Sequence, residues 1–475
     1  MPMAIESWLT KVRSAIISSK PSPSSSSSSS WRSKTVGILA LEVATLMSKL
    51  VHLWRSLADA ALARLRHHLI NLDGVRKLVS HHDAALLALA CAELTDALRV
   101  AAHSVAALAT RCADPFLRDF ADAFADFADT GRDPHRWVST WKDMDSRAHK
   151  MDKQVAATSA LRTAMEDLAD AEHGLRKLLQ TSSSRRLSAT NISLAAEQQQ
   201  LIFAKKQEVK HLKQTSLWSS TFDAVVSSLA RAAFTILARI KLVFGAAHDH
   251  RPTTTPLHRS LTLSSAVHPS SVDVQVQPPV SRKSMSMDMG MGEALYLERQ
   301  RQSGLLERSA AALVPPPGTL GAAALAPRYA WVIISIERMA RSPRLVGAEE
   351  RDELYGMLTA SVRAQLRARL RGTVAAAEPG LAGQWRAAVG GILEWLAPMA
   401  HATVRWQAER SLEQQRKTTR EMETQTLVVQ TLQMAERGKV EAAVAELLVG
   451  LNYLCRFHKE ITTCRTRTCH HDDAP

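Results

Sequence analysis

LALEVATLMSKLVHLWRSL, residues 39–57, shows the helical grammar of the whole chain most plainly. Leu39, Val43, Leu46, Leu50, Trp54 and Leu57 step by 4, 3, 4, 4 and 3, so all six fall on one face of a single helix. The same grammar continues outward. Asn71-Leu72-Asp73-Gly74 reads as a turn before a short helix over 75–79. Asp83 serves as N-cap for a long helix over 84–112, which carries Leu87, Leu94, Leu98, Val105 and Leu108. Asp114-Pro115 opens a helix with Phe116, Phe120, Phe124 and Phe127 on one face, Pro standing at the tolerated first position. Asp133-Pro134 opens another, holding Trp137 and Trp141. An amphipathic helix over 144–179 follows, with Met151, Val155, Leu161, Met165, Leu168, Leu175 and Leu179 as its stripe. No strand pattern interrupts this run, so residues 34–245 read as an antiparallel α-bundle.

The remainder divides by composition. Residues 1–33 join an amphipathic stretch (Ile5, Trp8, Leu9, Val12, Ile16, Ile17) to a Ser run from Ser24 to Ser30. A Ser-rich break at 181–193 leads to a helical stretch over 194–244, polar first and apolar afterwards. Residues 246–318, rich in Pro, Ser and Thr, read as a disordered linker. A second helical domain is expected over 319–460, with a polar, disordered tail at 461–475. Its helices are placed at 320–339 (Pro327 kinking it or marking its true start), 349–358, 361–370, 383–396, 398–415, 424–435 and 440–457. The fold class is therefore all-α: two helical bundles joined by a long low-complexity linker.

Composition bounds the function. The 475 residues carry 60 Lys and Arg against 46 Asp and Glu, a net of +14 that suits an acidic partner. That charge is uneven: residues 34–180 are neutral, while 181–310 hold +7. A nucleic-acid-binding domain concentrates its basic residues on a folded face, so nucleic acid is not favoured as a partner. The most apolar long stretch, 222–247, contains Asp223, Arg231, Arg239 and Lys241, and fails as a transmembrane helix. No secretory signal is visible, and Pro2 excludes N-myristoylation. The expected location is intracellular: nucleus, cytoplasm or plasma-membrane periphery.

No G-x-S-x-G, H-E-x-x-H, P-loop or G-x-G-x-x-G occurs, so no catalytic residue and no cofactor is assigned and the chain reads as a non-enzyme. Metal is not assigned either. Cys464, Cys469, His470 and His471 lack zinc-knuckle spacing. Met285, Met287, Met289 and Met291 have no His or Cys neighbours that would complete a copper site. Cys91 and Cys112 read as small buried hydrophobes. Three candidate features remain. Ser188, Ser260 and Ser284 follow basic residues in Ser-rich segments, where a phosphate would remove about two charges. Arg363, Arg367 and Arg371 step by four and offer a basic contact face; a solvated face is the competing reading. Val225, Leu229, Ile236, Ile240 and Phe244 form a stripe available to dock a partner helix.

Several motifs, taken in order, resemble the plant PSK SIMULATOR-like family. They are Val36-Gly37-Ile38-Leu39-Ala40-Leu41-Glu42-Val43-Ala44, Leu72-Asp73-Gly74-Val75-Arg76-Lys77-Leu78-Val79-Ser80, Gly131-Arg132-Asp133-Pro134, and Thr319-Leu320-Gly321-Ala322-Ala323-Ala324-Leu325-Ala326. Ile333-Ile334 and Asp352-Glu353-Leu354-Tyr355 continue the likeness. The resemblance implies two plant domains of undefined biochemistry and a role in promoting growth, downstream of or parallel to phytosulfokine peptide signalling. Related members are rapidly elicited in defence, and some are myristoylated and placed at membranes or in the nucleus. This chain departs from the pattern at Pro2, at Pro327-Arg328-Tyr329-Ala330-Trp331, where the family resembles Leu-His-Tyr-Ala-Asn, and in its tail after Phe457. The expected function is a non-enzymatic growth regulator acting as a helical interaction scaffold with unidentified protein partners. The alternatives are a peripheral membrane or trafficking-tether protein on an anionic membrane surface, and an unrecognised enzyme.

Overall fold

The stripe of residues 39–57 lies in the middle of the molecule. The structure, a computed structural model, describes residues 35–183, 189–245, 304–343, 346–372, 381–414 and 426–468. Helix α1 (Ala40–Ser56) turns Ala40, Val43, Met47 and Leu50 fully inward, with no exposed surface. It is the one helix among the described residues that is long and apolar enough, counted from Gly37, to cross a membrane. That apolar face is spent on the protein's own core. The apolar stretch 222–244 is longer but carries Asp223, Arg231, Arg239 and Lys241.

The first half continues with α2 (Asp59–His67), α3 (Asp73–Leu78), α4 (Asp83–Ala109), α5 (Pro115–Arg118), α6 (Phe120–Thr130), α7 (Trp141–Ser183), α8 (Ala189–Thr215) and α9 (Phe222–Phe244). The expected 194–244 stretch is thus two helices, broken by a short 3-10 turn at Leu217–Ser219. Helix α9 is buried along most of its length, and Phe234 is its centre. Its ring lies 4.9 Å from Phe127 and Trp137, 5.4 Å from Phe124 and 5.9 Å from Phe120. Each such aromatic contributes roughly 1.5–3 kcal/mol by burial. Val225, Leu229, Ile236, Ile240 and Phe244 all belong to this same core. The stripe expected to dock a partner is therefore occupied by the chain itself, because α4 and α1 already pack on α9. Helices α7 and α8 pair as a hairpin over a thinner core of Leu161, Ala164 and Val209.

Two expectations in this half are corrected. Phe116 does not share the face of Phe120, Phe124 and Phe127; it sits on the separate one-turn α5 and is 60% exposed. Residues 133–140 are not helical. The Asp133 carboxylate accepts the amide N–H groups of Trp137 (2.9 Å) and Val138 (2.8 Å), giving the backbone an alternative to a helical turn. Thr235 of α9 then accepts the Ser139 amide. Trp137 still reaches the aromatic core, but from a loop.

The second half holds α10 (Leu305–Ala312), α11 (Ala326–Arg341), α12 (Ala348–Met357), α13 (Ala360–Gly372), α14 (Leu381–Gln414) and α15 (Arg437–Thr468). Helix α10 lies inside the stretch expected to be linker, because Leu305 and Leu306 find apolar cover on the core and Asp129 of α6 accepts the Leu305 amide. Helix α11 begins at Ala326, so Pro327 marks its start. Pro398 does not divide α14. Proline inside a helix costs about 3 kcal/mol, which the full burial of Leu396 and Ala400 on either side offsets. The expected helix over 424–435 is instead two 3-10 turns, Val428–Gln430 and Leu432–Met434. Their amides go to side chains elsewhere: Val428 to Glu93 and Leu432 to Thr403. Helix α15 runs past residue 460, to Thr468.

The two halves share one apolar core. Gly74 of α3 meets α14 so closely that a Cβ there would collide with the Trp395 carbonyl oxygen and lie 2.7 Å from the Met399 sulfur. The Leu78 carbonyl accepts the Glu436 amide at 2.9 Å. Among the described residues there is no β-strand, only the isolated bridges Thr35 to Thr221 and Thr319 to Glu436.

Candidate functional site

The expected basic face is largely used inside the fold. Arg363 donates to the Gly356 carbonyl (3.1 Å) and stacks 4.9 Å over the Tyr355 ring. Arg367 donates to the Tyr355 hydroxyl at 2.7 Å. Both therefore hold the C-terminal end of α12, where Arg328 also donates to the Met357 carbonyl. Arg371 is exposed at the end of α13. Ser188, Ser260 and Ser284 lie outside the described residues, as do residues 1–20, the Met285–Met291 cluster and the Cys469, His470 and His471 end of the tail. Cys112 is buried, and burial followed by nearby Asp223 pushes its thiol up to about 12, which suits an inert hydrophobe. Among the described residues no three His, Cys, Asp or Glu side chains gather in a way that would hold a metal ion.

Two carboxylates that the sequence reading passed over organise the interior. Glu441 of α15 is 5% exposed. It accepts hydrogen bonds from Tyr329 (2.9 Å), Ser361 (2.6 Å) and Arg437 (2.8 Å). Burial pushes its carboxyl up, but these three donors outweigh that, and the net shift is downward. Tyr329, the tyrosine at the site where the chain departs from the family pattern, is 2% exposed, and burial pushes its phenol up to about 12. Trp331, two residues on, is 52% exposed.

Glu93 of α4 is 6% exposed and spans the two halves. It accepts the Val428 amide at 2.7 Å and the Trp406 indole N–H at 3.2 Å. Burial pushes its carboxyl up to about 7, against the Val428 and Trp406 hydrogen bonds and the Arg410 charge, while Glu409 adds to the rise. A sequence signal for Glu93 did exist: it is a lone acid in the apolar run from Leu86 to Leu94.

Beside this seam opens a cleft of about 1310 Å³. Leu65 of α2, Leu69, Leu72, Trp395 and Met399 of α14, and Leu427 line it with apolar surface. Arg55, Arg64, Lys77 and Arg405 add cationic groups, and Asp73 and Glu394 are its acids. Lys77 pairs with Asp73 at 2.9 Å and stands 5.1 Å from the Trp395 ring centre. A smaller hollow of about 420 Å³ shares Glu394, Pro398 and His401 with it. There Glu337 bonds both His401 (2.7 Å) and Arg341. The arrangement suits recognition of something both apolar and acidic. Both oxygens of the buried Glu93 beside it are already engaged by Trp406 and Val428.

Comparison with known proteins falls on this same cleft. Residues 38–94 match a family described as "Domain of unknown function (DUF3475)". Residues 319–405 match one described as "Protein of unknown function (DUF668)". Every first-half lining residue, His52 to Leu94, falls in the first segment, and those of α14, Gly391 to Arg405, fall in the second. Three proteins of Arabidopsis thaliana are similar over most of the chain. Protein PSK SIMULATOR 1 is 23% identical over 90% of this chain and 57% of its own length. Protein PSK SIMULATOR 2 is 24% identical over 91% and 61%. Protein PSK SIMULATOR 3 is 24% identical over 88% and 56%. The chain thus spans roughly three fifths of the length of these relatives. No solved structure matches. The resemblance read from the motifs therefore extends over about nine tenths of the chain, which is similar to the PSK SIMULATOR proteins and matches both domains of unknown function in order.

Proposed function

We propose that the chain is a non-enzymatic regulator that promotes plant growth, linked to phytosulfokine peptide-hormone signalling, and that it works as a helical interaction scaffold. The observation that supports this most is the joint cleft. Two segments matched to separate families, far apart in sequence, build one body with one shared recess between them. A scaffold needs a rigid surface that positions a partner, and two packed helical halves supply one. The likeness to PSK SIMULATOR proteins supports the signalling assignment. Protein partners are the first expectation. Ser188, Ser260 and Ser284, in or beside the +7 region, would be the regulated sites.

The test is expression of the full chain in seedlings lacking their own related proteins, with root growth measured alongside proximity labelling. Restored growth together with a reproducible set of labelled proteins is expected. Unchanged growth would remove the regulatory reading. Salt-sensitive flotation with anionic vesicles, without a labelled protein set, would replace the scaffold with the membrane-tether alternative.

A further inference from the structure

We infer that the cleft between the halves is a docking groove for an acidic amphipathic helix of a partner protein. The inference rests on the scaffold reading and names the chemistry of its partner. The cleft, at about 1310 Å³, exceeds the ~300–1,000 Å³ of small-molecule sites. Its floor is lined by apolar groups, the half-buried Leu69 and Trp395 over the buried Met399. Its charge is in excess on the basic side, with Glu394 the one lining acid that remains once Asp73 is paired. Arg55 is held by Asp152 and Lys77 by Asp73. Arg64 and Arg405, one from each half, are exposed and make no ion pair among the described residues.

An occupant must therefore cover apolar surface and bring negative charge to both edges at once. A helix with Leu spaced at three and four residues and Asp or Glu beside them does both. A purely acidic segment would leave the floor in water. A purely apolar one would leave Arg64 and Arg405 unmatched. A bilayer surface is flat and would not reach a floor recessed between two helical halves. The walls are set before binding, because Gly74 abuts Trp395 and Glu93 holds the 428 turn, so little ordering cost falls on this chain.

The test uses the full chain and a fluorescent 18-residue Leu/Glu peptide of helical spacing, with the matching Leu/Lys peptide and phosphatidylserine/phosphatidylcholine vesicles as further probes. Anisotropy should show saturable binding of Leu/Glu and little of Leu/Lys. The double variant Arg64→Glu/Arg405→Glu, at two exposed positions, should keep the thermal midpoint, weaken Leu/Glu binding by about tenfold or more, and gain Leu/Lys binding. Equal binding of the two peptides, indifference to the double variant, or no binding at all overturns the groove. Vesicle binding that is lost in the variant while both peptides are ignored overturns it in favour of a membrane contact. If the variant loses the peptide but keeps full growth and the same labelled proteins, the groove is not the scaffold's working surface and the scaffold reading stands. If growth is never restored by the unaltered chain, that reading falls whatever the peptide does.

Discussion

Glu93 and Glu441 expose equally little surface, at 6% and 5%, yet Glu93 lies deeper in the protein, and burial wins there and loses at Glu441. Around Glu441 stand a guanidinium, a phenol and a hydroxyl, all donating to its two oxygens. Around Glu93 stand one amide and one indole, with the Arg410 charge partly cancelled by Glu409. The hub in the second half thus keeps a fixed charge. The seam between the halves holds a carboxyl that is neutral for much of the range below pH 7. The lesson is that low exposure by itself does not set a carboxylate's state; the depth of burial and the number and charge of its donors set it together.

The largest expected effect is on the seam. Gly74→Leu drives a side chain into the Trp395 backbone and should cost about 3 kcal/mol, read as a lowered denaturation midpoint. An unchanged midpoint would show that the halves are not locked there. The next test is of pH. Glu93 is raised from 4.5 to about 7, so it contributes stability in full below pH 4.5 and loses it as pH rises through 7. That swing is roughly 3 kcal/mol. Glu93→Gln should flatten it, with urea unfolding compared between pH 5 and 8, and a persisting slope would place the titration elsewhere. Glu441→Ala removes the carboxylate to which Tyr329, Ser361 and Arg437 donate, leaving Tyr329 only Thr359, and should cost roughly 2–3 kcal/mol near neutral pH. Its lowered carboxyl would add stability only above its unfolded range, so this loss should shrink in acid.

Removing residues 246–303 should matter less. The chain leaves α9 where Lys241 bonds the Phe127 carbonyl and re-enters where Asp129 receives Leu305, both at the end of α6. A short Gly/Ser join there should change stability by about 1 kcal/mol or less, whereas a deletion reaching 310 removes most of α10 and should cost more. Arg371→Ala should fall within about ±0.5 kcal/mol, in contrast to Arg363, which stacks on Tyr355.

Much of the fold was legible because helical spacing is local. The stripe from Leu39 to Leu57 needed no partner to be recognised, and Pro327 at a helix start follows from its missing N–H. Legibility stopped where a distant group changed a local preference. Residues 133–140 look helical until Asp133 and Thr235 take their amides. The segment 424–435 looks helical until Glu93 and Thr403 take others. The basic face of α13 was visible, but not that Arg363 and Arg367 are committed to Tyr355.

Local sequence was enough for an all-helical chain, the positions of most helices, the uneven charge and the likeness to the PSK SIMULATOR proteins. Each of these depends on residues near one another along the chain. Only the tertiary structure decided that the two halves form one core, that the apolar stripe of α9 is covered from within, and that Arg64 and Arg405 face one cleft. Those facts join residues far apart along the chain, more than 300 positions for Glu93 with Trp406 and Val428, and pairing over such distances is set by shape and burial, on which no local pattern reports.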